Sequence, residues 1–166
     1  MTNFKSSATA RRKNTLSGKD MHIGIVVSEW NETITKALLK GALNTLKKNG
    51  VPEKNIMVKT VPGSFELPLG AQMIEEKFHP DAVICLGCVI KGETTHYDYI
   101  CASVADGIMQ LNLKYTKPFV FAVLTCNNNQ QAMDRAGGIM GNKGEEAALT
   151  AIAMVALKRE LAQTKS

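Results

Sequence analysis

The segment KGETTHY, residues 91–97, carries the polar groups that phosphate binding and proton transfer require. It follows the most apolar stretch of the chain, Ala82–Ile90, and precedes a segment of helical periodicity, so we expect it to open a helix. Free backbone N–H groups and hydroxyls at a helix start bind anions such as phosphate. His96 lies in this segment and could act as a general acid or base. A lone histidine can instead be structural, as we expect for His22 and His79.

Two further segments could bind the planar and the hydroxylated parts of a ligand. Trp30, the single tryptophan, follows the first apolar run and could stack on a heterocycle or pack as a staple against the following helix. In VPGSFELP, residues 61–68, a Pro–Gly turn lets a ligand approach the backbone. Glu66 in this segment could accept hydrogen bonds from hydroxyls or favour the start of the next helix. The residues alone favour the second role.

The segment DRAGGIMGNKGEE, residues 134–146, places two cations on either side of a glycine-rich break. Arg135 could bind a phosphate as a planar fork and Lys143 as a point charge. Taken singly, each cation is also typical of a solvated helix terminus.

Alternating strands and helices must position these segments. We expect Asn31 to cap the first helix, Gly50 to end it, and Pro68 to lie in the first turn of the second helix. The strand and helix order, with a third strand that is apolar at nearly every position, predicts a three-layer α/β/α sandwich around a four-stranded parallel sheet. Ligands of such sheets bind beyond the carboxyl ends of the strands. The predicted strands are His22–Ser28, Asn55–Val61, Ala82–Ile90 and Pro118–Cys126, and the predicted helices are Asn31–Asn49, Glu66–Phe78, Thr94–Tyr115, Asn128–Ala136 and Asn142–Leu161.

The net charge of +5 in 166 residues does not describe the folded body. Residues 1–19 hold five basic residues and no acid, whereas residues 20–166 hold equal numbers of both. We therefore expect a basic arm over residues 1–20, with a transit-peptide remnant as the alternative, and one α/β domain over residues 21–166. A neutral body argues against a nucleic-acid binder. No apolar run approaches the roughly 18 residues of a membrane span, so no membrane partner is expected.

The positions of the cysteines and the lack of nucleotide-binding motifs argue against metal, redox and nucleotide chemistry. Cys85 and Cys88 form a CxxC within a predicted strand, where they point to opposite faces, which disfavours a zinc site or a redox pair. Reduced thiols indicate the cytoplasm. The turn after the first strand reads SEWNE, not GxGxxG, and the chain has no P-loop, so NAD and ATP chemistry are not expected.

Together these segments resemble the 6,7-dimethyl-8-ribityllumazine synthase family. The matching stretches, which cover essentially all of residues 21–160 in order, are SEWNETITKALLKGAL, VPGSFELPLGAQ, LGCVIKGETTHYDYIC, FAVLT and DRAGGIMGNKGEEAA. The resemblance implies a flavodoxin-like fold and a transferase of riboflavin biosynthesis. Members of this family condense 5-amino-6-(D-ribitylamino)pyrimidine-2,4-dione with 3,4-dihydroxy-2-butanone 4-phosphate, release phosphate and water, and use no cofactor or metal, so the same is expected here.

The resemblance also implies roles for single residues. His96 moves protons, and Trp30 stacks on the pyrimidine, where many relatives have Phe. The remaining implied contacts are Asn31, Gly63, Ser64 and Glu66 for the ribityl chain, Val89 and Ile90 for the ring, Glu93, Thr94 and Thr95 for the phosphate end, and Phe121, Arg135 and Lys143 from the neighbouring subunit.

An assembly follows from the same resemblance. The implied unit is a homopentamer with active sites between subunits, and the RAGGIMGNKG break, which has no insertion, is similar to members that form icosahedral shells of pentamers. The resemblance also implies riboflavin synthase as a partner. Two alternatives stay open: a flavodoxin-like flavin carrier, which the two acids of SEWNE disfavour, and a shell protein without catalysis.

Overall fold

The computed structural model describes residues 17–163. Most of the predicted basic arm, residues 1–20, lies outside the described residues, so the predicted domain boundary stays a prediction. Within the described part, the Gly18 N–H donates to the Asn49 carbonyl at 2.7 Å, which ties the chain ahead of the first strand to the end of the first helix.

Four parallel strands form the central sheet in the order β2-β1-β3-β4. β1 and β3 lie in the centre, and β1 is buried at every position because helices cover both faces of the sheet. The chain order reverses between β1 and β3, which creates the crevice where ligands of open α/β sheets bind. The strands are β1 (Ile23–Ser28), β2 (Ile56–Val61), β3 (Ala82–Ile90) and β4 (Phe119–Cys126), each within one residue of its predicted bounds.

Two helical layers complete the predicted three-layer sandwich. The core on one face is built from α1, α4 and α5, and the core on the other face from α2 and α3. Cys85 belongs to the second core and Cys88 to the first, so the CxxC residues point to opposite faces as predicted. The helices are α1 (Glu32–Lys48), α2 (Leu67–Phe78), α3 (His96–Tyr115), α4 (Asn129–Arg135) and α5 (Lys143–Gln163).

Every helix end lies within two residues of its predicted position. Gly50, at φ 88°, follows the C-cap of α1 as expected, and Pro68 lies in the first turn of α2. A short 3₁₀ turn, Ser64–Glu66, precedes α2, so this helix starts one residue later than predicted. α3 starts at His96 rather than Thr94.

The main difference from the predicted elements is a hairpin where the sequence predicted only a glycine break. β5 (Ala136–Gly138) and β6 (Gly141–Asn142) pair antiparallel. Strands this short carry no alternation of apolar and polar residues, so their sequence holds no strand signal. Gly137 and Gly141 adopt positive φ values of 118° and 79°, which explains why glycines stand there. None of the helices within residues 17–163 is long and apolar enough to cross a membrane.

Candidate active site

A cavity of about 680 Å³ opens beyond the carboxyl ends of β1, β2 and β3. It lies at the crevice that the reversal of strand order predicts. Glu93 and Thr95 are exposed in the neighbouring loop and do not line it. The predicted site residues that do line it are Trp30, Asn31, Gly63, Ser64, Glu66, Val89, Ile90, Thr94 and His96.

The turn after β1 presents Trp30 to this cavity. The backbone N–H of Trp30 donates to the Pro62 carbonyl at 3.1 Å, which holds the turn against the end of β2. Trp30 is 71% exposed. A ring that served as a staple against α1 would be covered, so this exposure favours stacking on a ligand over the staple interpretation.

Asn31 occupies the predicted cap position of α1, but its side chain does not cap the helix. The residue adopts the left-handed conformation, at φ 59°, which asparagine tolerates better than most residues. Its Nδ2 donates instead to the Cys88 carbonyl at 2.9 Å. The predicted side-chain cap is therefore wrong, because the amide bridges the turn after β1 to the end of β3 across the crevice.

The turn after β2 is held by a glutamate. Glu66 Oε2 accepts from the Gly63 N–H at 2.9 Å, so the helix-start role favoured by the sequence is present. A Cβ on Gly63 would lie 3.0 Å from the same oxygen, which is tighter than ordinary contact. The absent side chain thus allows the carboxylate to close the turn and keeps the backbone open to the cavity.

Ser64 contributes a hydroxyl that lacks a partner. Its Oγ is buried and makes no hydrogen bond within the part of the chain that the structure describes. Gly87 makes room for it, since a Cβ there would lie 2.7 Å from the Ser64 Oγ. Buried polar groups are nearly always hydrogen-bonded, so a ligand hydroxyl or a water is expected to satisfy Ser64.

The first turn of α3 forms the opposite wall. His96 is exposed, and its N–H donates to Thr94 Oγ1 at 3.4 Å. The Lys91 N–H donates to the Cys126 carbonyl at 2.8 Å and ties this loop to β4. The positive dipole end of α3 therefore lies at the cavity beside an imidazole.

Tyr97 also lines this cavity, and the sequence reasoning assigned it no role. Burial raises the pKa of its phenol above the ordinary 10.0, although a hydrogen bond with Thr125 opposes the shift. The phenol therefore stays protonated near neutral pH.

Three of the predicted residues lie elsewhere. Phe121, Arg135 and Lys143 line a second groove of about 610 Å³, between α3 and α5 along the edge strand β4. Phe121 is 42% exposed on that edge. No residue lines both the cavity and this groove. One subunit thus carries the predicted site residues as two separate sets.

The two cations of the groove are fixed differently. Arg135 Nη1 donates to the Gln131 carbonyl at 3.0 Å, one turn back on α4. Lys143 Nζ donates to both carboxylate oxygens of Glu146 at 2.8 Å. Sequence reasoning missed Glu146, although its spacing of three residues from Lys143 at a helix start predicts such a pair.

Within residues 17–163, no group of three or more His, Cys, Asp or Glu side chains could hold a metal ion. The four cysteines are free thiols. Burial raises the pKa of the Cys85 thiol to about 12, so it stays protonated near neutral pH.

Comparison with known proteins gives one family. A family model described as 6,7-dimethyl-8-ribityllumazine synthase matches residues 20–159. A protein of that name from Parabacteroides distasonis is 59% identical over 136 residues, which are 82% of this chain and 85% of the relative. Proteins of the same name from Bacteroides fragilis and Phocaeicola vulgatus are 56% identical over 135 residues (81% and 94% of the two chains) and 51% identical over 149 residues (90% and 89%).

Proposed function

The chain belongs to the 6,7-dimethyl-8-ribityllumazine synthase family, and we propose that the cavity beyond β1, β2 and β3 is where it performs the reaction of that family. It is an enzyme of the transferase class. It condenses 5-amino-6-(D-ribitylamino)pyrimidine-2,4-dione with 3,4-dihydroxy-2-butanone 4-phosphate to 6,7-dimethyl-8-ribityllumazine, the penultimate step of riboflavin biosynthesis. The location rests on one observation: nine predicted contact residues, from the ends of three strands and the segments that follow them, converge on one cavity.

The pyrimidine is proposed to bind between the indole of Trp30 and the end of β3. The exposed indole face offers offset stacking to a planar ring. Val89 and Ile90 line the cavity at the strand end, where backbone N–H and C=O groups can pair with the edge of the pyrimidinedione.

The ribityl chain is proposed to lie along the turn after β2. The unpartnered hydroxyl of Ser64 can donate to or accept from a ribityl hydroxyl. Glu66 uses Oε2 for the Gly63 N–H, so Oε1 is the atom we assign to the ligand. Asn31 contributes chiefly by fixing the turn beside it, through its bond to the Cys88 carbonyl.

The phosphate substrate is proposed to bind at the start of α3 beside His96. The amine of the pyrimidine attacks the ketone, and water leaves as the imine forms. Elimination of the phosphate leaves an enol that tautomerises to a second ketone. The ribityl-bearing amine attacks this ketone and closes the ring with loss of a second water. His96 is assigned to the proton transfers in these steps, which typically gain about 10²–10⁴-fold. Holding two intrinsically reactive substrates together can lower the barrier by roughly 7–11 kcal/mol at best, so positioning is expected to matter more. No cofactor is assigned to any step.

Membership of the family implies small-molecule substrates and an oligomeric assembly. We propose a homopentamer in which Phe121, Arg135 and Lys143 complete the neighbour's cavity, where the two cations bind the phosphate of the substrate. Two observations support this proposal. The cavity residues and the groove residues are separate in one subunit, and β4 lies at the edge of the sheet. A contact that joins a groove on one copy to a different surface on the next is heterologous, and such contacts form a closed ring when the rotation between copies adds up to a full turn.

Exposed apolar side chains supply the surface that a ring would bury. Met109 and Leu113 on α3 are 57% and 74% exposed, and Leu69 and Met73 on α2 are 57% and 60% exposed. Surfaces of this kind mark protein interfaces. An icosahedral shell of pentamers is the proposed larger assembly, with riboflavin synthase as the proposed partner that consumes the product and the cytoplasm as the proposed compartment.

One assay tests the activity directly. The purified protein is incubated with both substrates, and lumazine absorbance and fluorescence are followed; failure to form lumazine refutes the assignment. Arg135→Ala is then expected to raise the KM for the butanone phosphate more than the KM for the pyrimidine. Equal rises in both would count against a phosphate-binding role. Sedimentation velocity separates pentamer from shell.

A further inference from the structure

The β5–β6 hairpin joins the two cations that are proposed to bind phosphate. Arg135 directly precedes β5, and Lys143 directly follows β6. Three glycines, Gly137, Gly138 and Gly141, lie in this short segment, and two of them have positive φ. Glycine loses more conformational freedom on folding than any other residue, so the hairpin needs an anchor to hold one position.

Asn142 supplies that anchor through one side chain. Its Nδ2 donates to the Ala37 carbonyl of α1 at 3.0 Å and to the Ala136 carbonyl at the start of β5 at 3.4 Å. Its Oδ1 accepts from the Gly144 N–H in the first turn of α5 at 2.8 Å. One amide therefore joins α1, the hairpin and α5.

The surrounding glycines show how closely this junction fits. A Cβ on Gly41 of α1 would lie 2.5 Å from Asn142 Oδ1 and 2.7 Å from Nδ2, so any side chain there would displace the amide. A Cβ on Gly144 would meet the Leu38 carbonyl. The hairpin can thus approach α1 only because both positions are glycine.

We propose that Asn142 is a positioning residue that sets where Arg135 and Lys143 hold the phosphate of the substrate. This inference rests on the proposed function, in which those two cations bind that phosphate in the neighbour's cavity. Arg and Lys are long and flexible, so their reach is set by where the backbone at each end of the hairpin lies. A displacement of about 1 Å at a site of this kind can cost roughly 10²-fold in rate.

Two variants release the anchor from opposite sides. Asn142→Ala removes all three hydrogen bonds. Gly41→Ala keeps every hairpin residue and pushes the amide away from α1, while alanine in a helix offsets part of the stability cost. Each is expected to raise the KM for the butanone phosphate roughly tenfold or more, with the KM for the pyrimidine within about twofold of wild type.

Asn55→Ala is the matched control. Asn55 is also partly buried, and its Nδ2 donates to the Met21 carbonyl, 34 residues away in the chain, at 3.2 Å. It directly precedes β2 and lines neither the cavity nor the groove. We expect it to lower the Tm without changing the ratio of the two KM values.

The outcomes distinguish the positioning role of Asn142 from the phosphate-binding role of Arg135 and Lys143. If Asn142→Ala and Gly41→Ala change the ratio of the two KM values no more than Asn55→Ala does, Asn142 has only a structural role. If Asn142→Ala does not assemble, the KM ratio of Gly41→Ala alone tests the positioning role of Asn142. Arg135→Ala is measured in parallel. If Arg135→Ala leaves the KM for the butanone phosphate unchanged, Arg135 does not bind the phosphate. The positioning role of Asn142 is then refuted as well. If Arg135→Ala raises this KM while Asn142→Ala and Gly41→Ala do not, only the positioning role of Asn142 is refuted.

Discussion

Mixing two impaired variants tests whether each active site needs two subunits. His96 lines the cavity, whereas Arg135 lines the separate groove along β4. If a site takes its cavity from one subunit and its cations from the next, His96→Ala damages one half and Arg135→Ala the other. A mixed ring then contains some sites that join an undamaged cavity to an undamaged groove.

The expected size of the effect follows from this geometry. In assemblies formed at random from equal amounts of the two variants, half of the subunits provide an intact cavity and half provide an intact groove. Because the two halves of a site come from different subunits, about a quarter of the sites are fully intact, whatever the number of subunits in a closed ring. Activity should rise to about a quarter of wild type above the residual activity of the separate variants.

The assay is lumazine formation after joint refolding or co-expression, with sedimentation used to verify that mixed assemblies form. Arg135→Ala mixed with Lys143→Ala is the matched control. Both of these changes lie on the groove half, so every site keeps a damaged groove and no activity should return. Recovery near a quarter in the first mixture alone supports shared sites. No recovery there, in verified mixed assemblies, would refute the two-subunit reasoning.

Three further predictions concern the fold. Gly87→Ala should destabilise the protein by about 1–3 kcal/mol through overpacking, because a Cβ there would lie 2.7 Å from Ser64 Oγ; an unchanged urea midpoint would contradict this. Leu38→Ala should cost about 2–5 kcal/mol, because Leu38 is fully buried between α1 and the sheet; a loss below 1 kcal/mol, measured in the same way, would show that the contact was misjudged. The pKa of the Cys85 thiol rises on folding from 9.0 to about 12, so the stability linked to it is complete below pH 9 and is lost as the pH rises toward 12, where the unfolded chain ionises first. Stability should therefore fall less steeply above pH 9 in Cys85→Ala than in wild type, and parallel pH profiles would oppose this explanation.

Much of the fold could be predicted from local pattern. β3 was predicted with both of its ends correct, because a strand buried on both faces must be apolar throughout and polar residues mark where it stops. The hairpin of β5 and β6 was not predicted, because strands of two or three residues are too short to show a periodic pattern. Its position also depends on a contact with α1, which is distant in sequence.

The candidate site divides in the same way. Loops that follow parallel strands must meet at one edge of the sheet, so the sequence alone brought Trp30, Glu66 and His96 together. Side-chain hydrogen bonds were less predictable: Asn31 was expected to cap α1 and instead reaches the Cys88 carbonyl. The hydrogen bond of Asn31 depends on its left-handed backbone conformation and on a carbonyl 57 residues away in the chain. The residues next to Asn31 predict neither.

The sequence by itself determined the order of strands and helices, the apolar core, and which residue types stand at the ends of the strands, since these depend on patterns within a few residues. Only the tertiary structure decided that Arg135 and Lys143 face a different groove from His96, and that Asn142 holds their hairpin against α1. The physical reason is that a side chain's direction and its partners are set by packing between elements far apart in the chain, where periodicity carries no information.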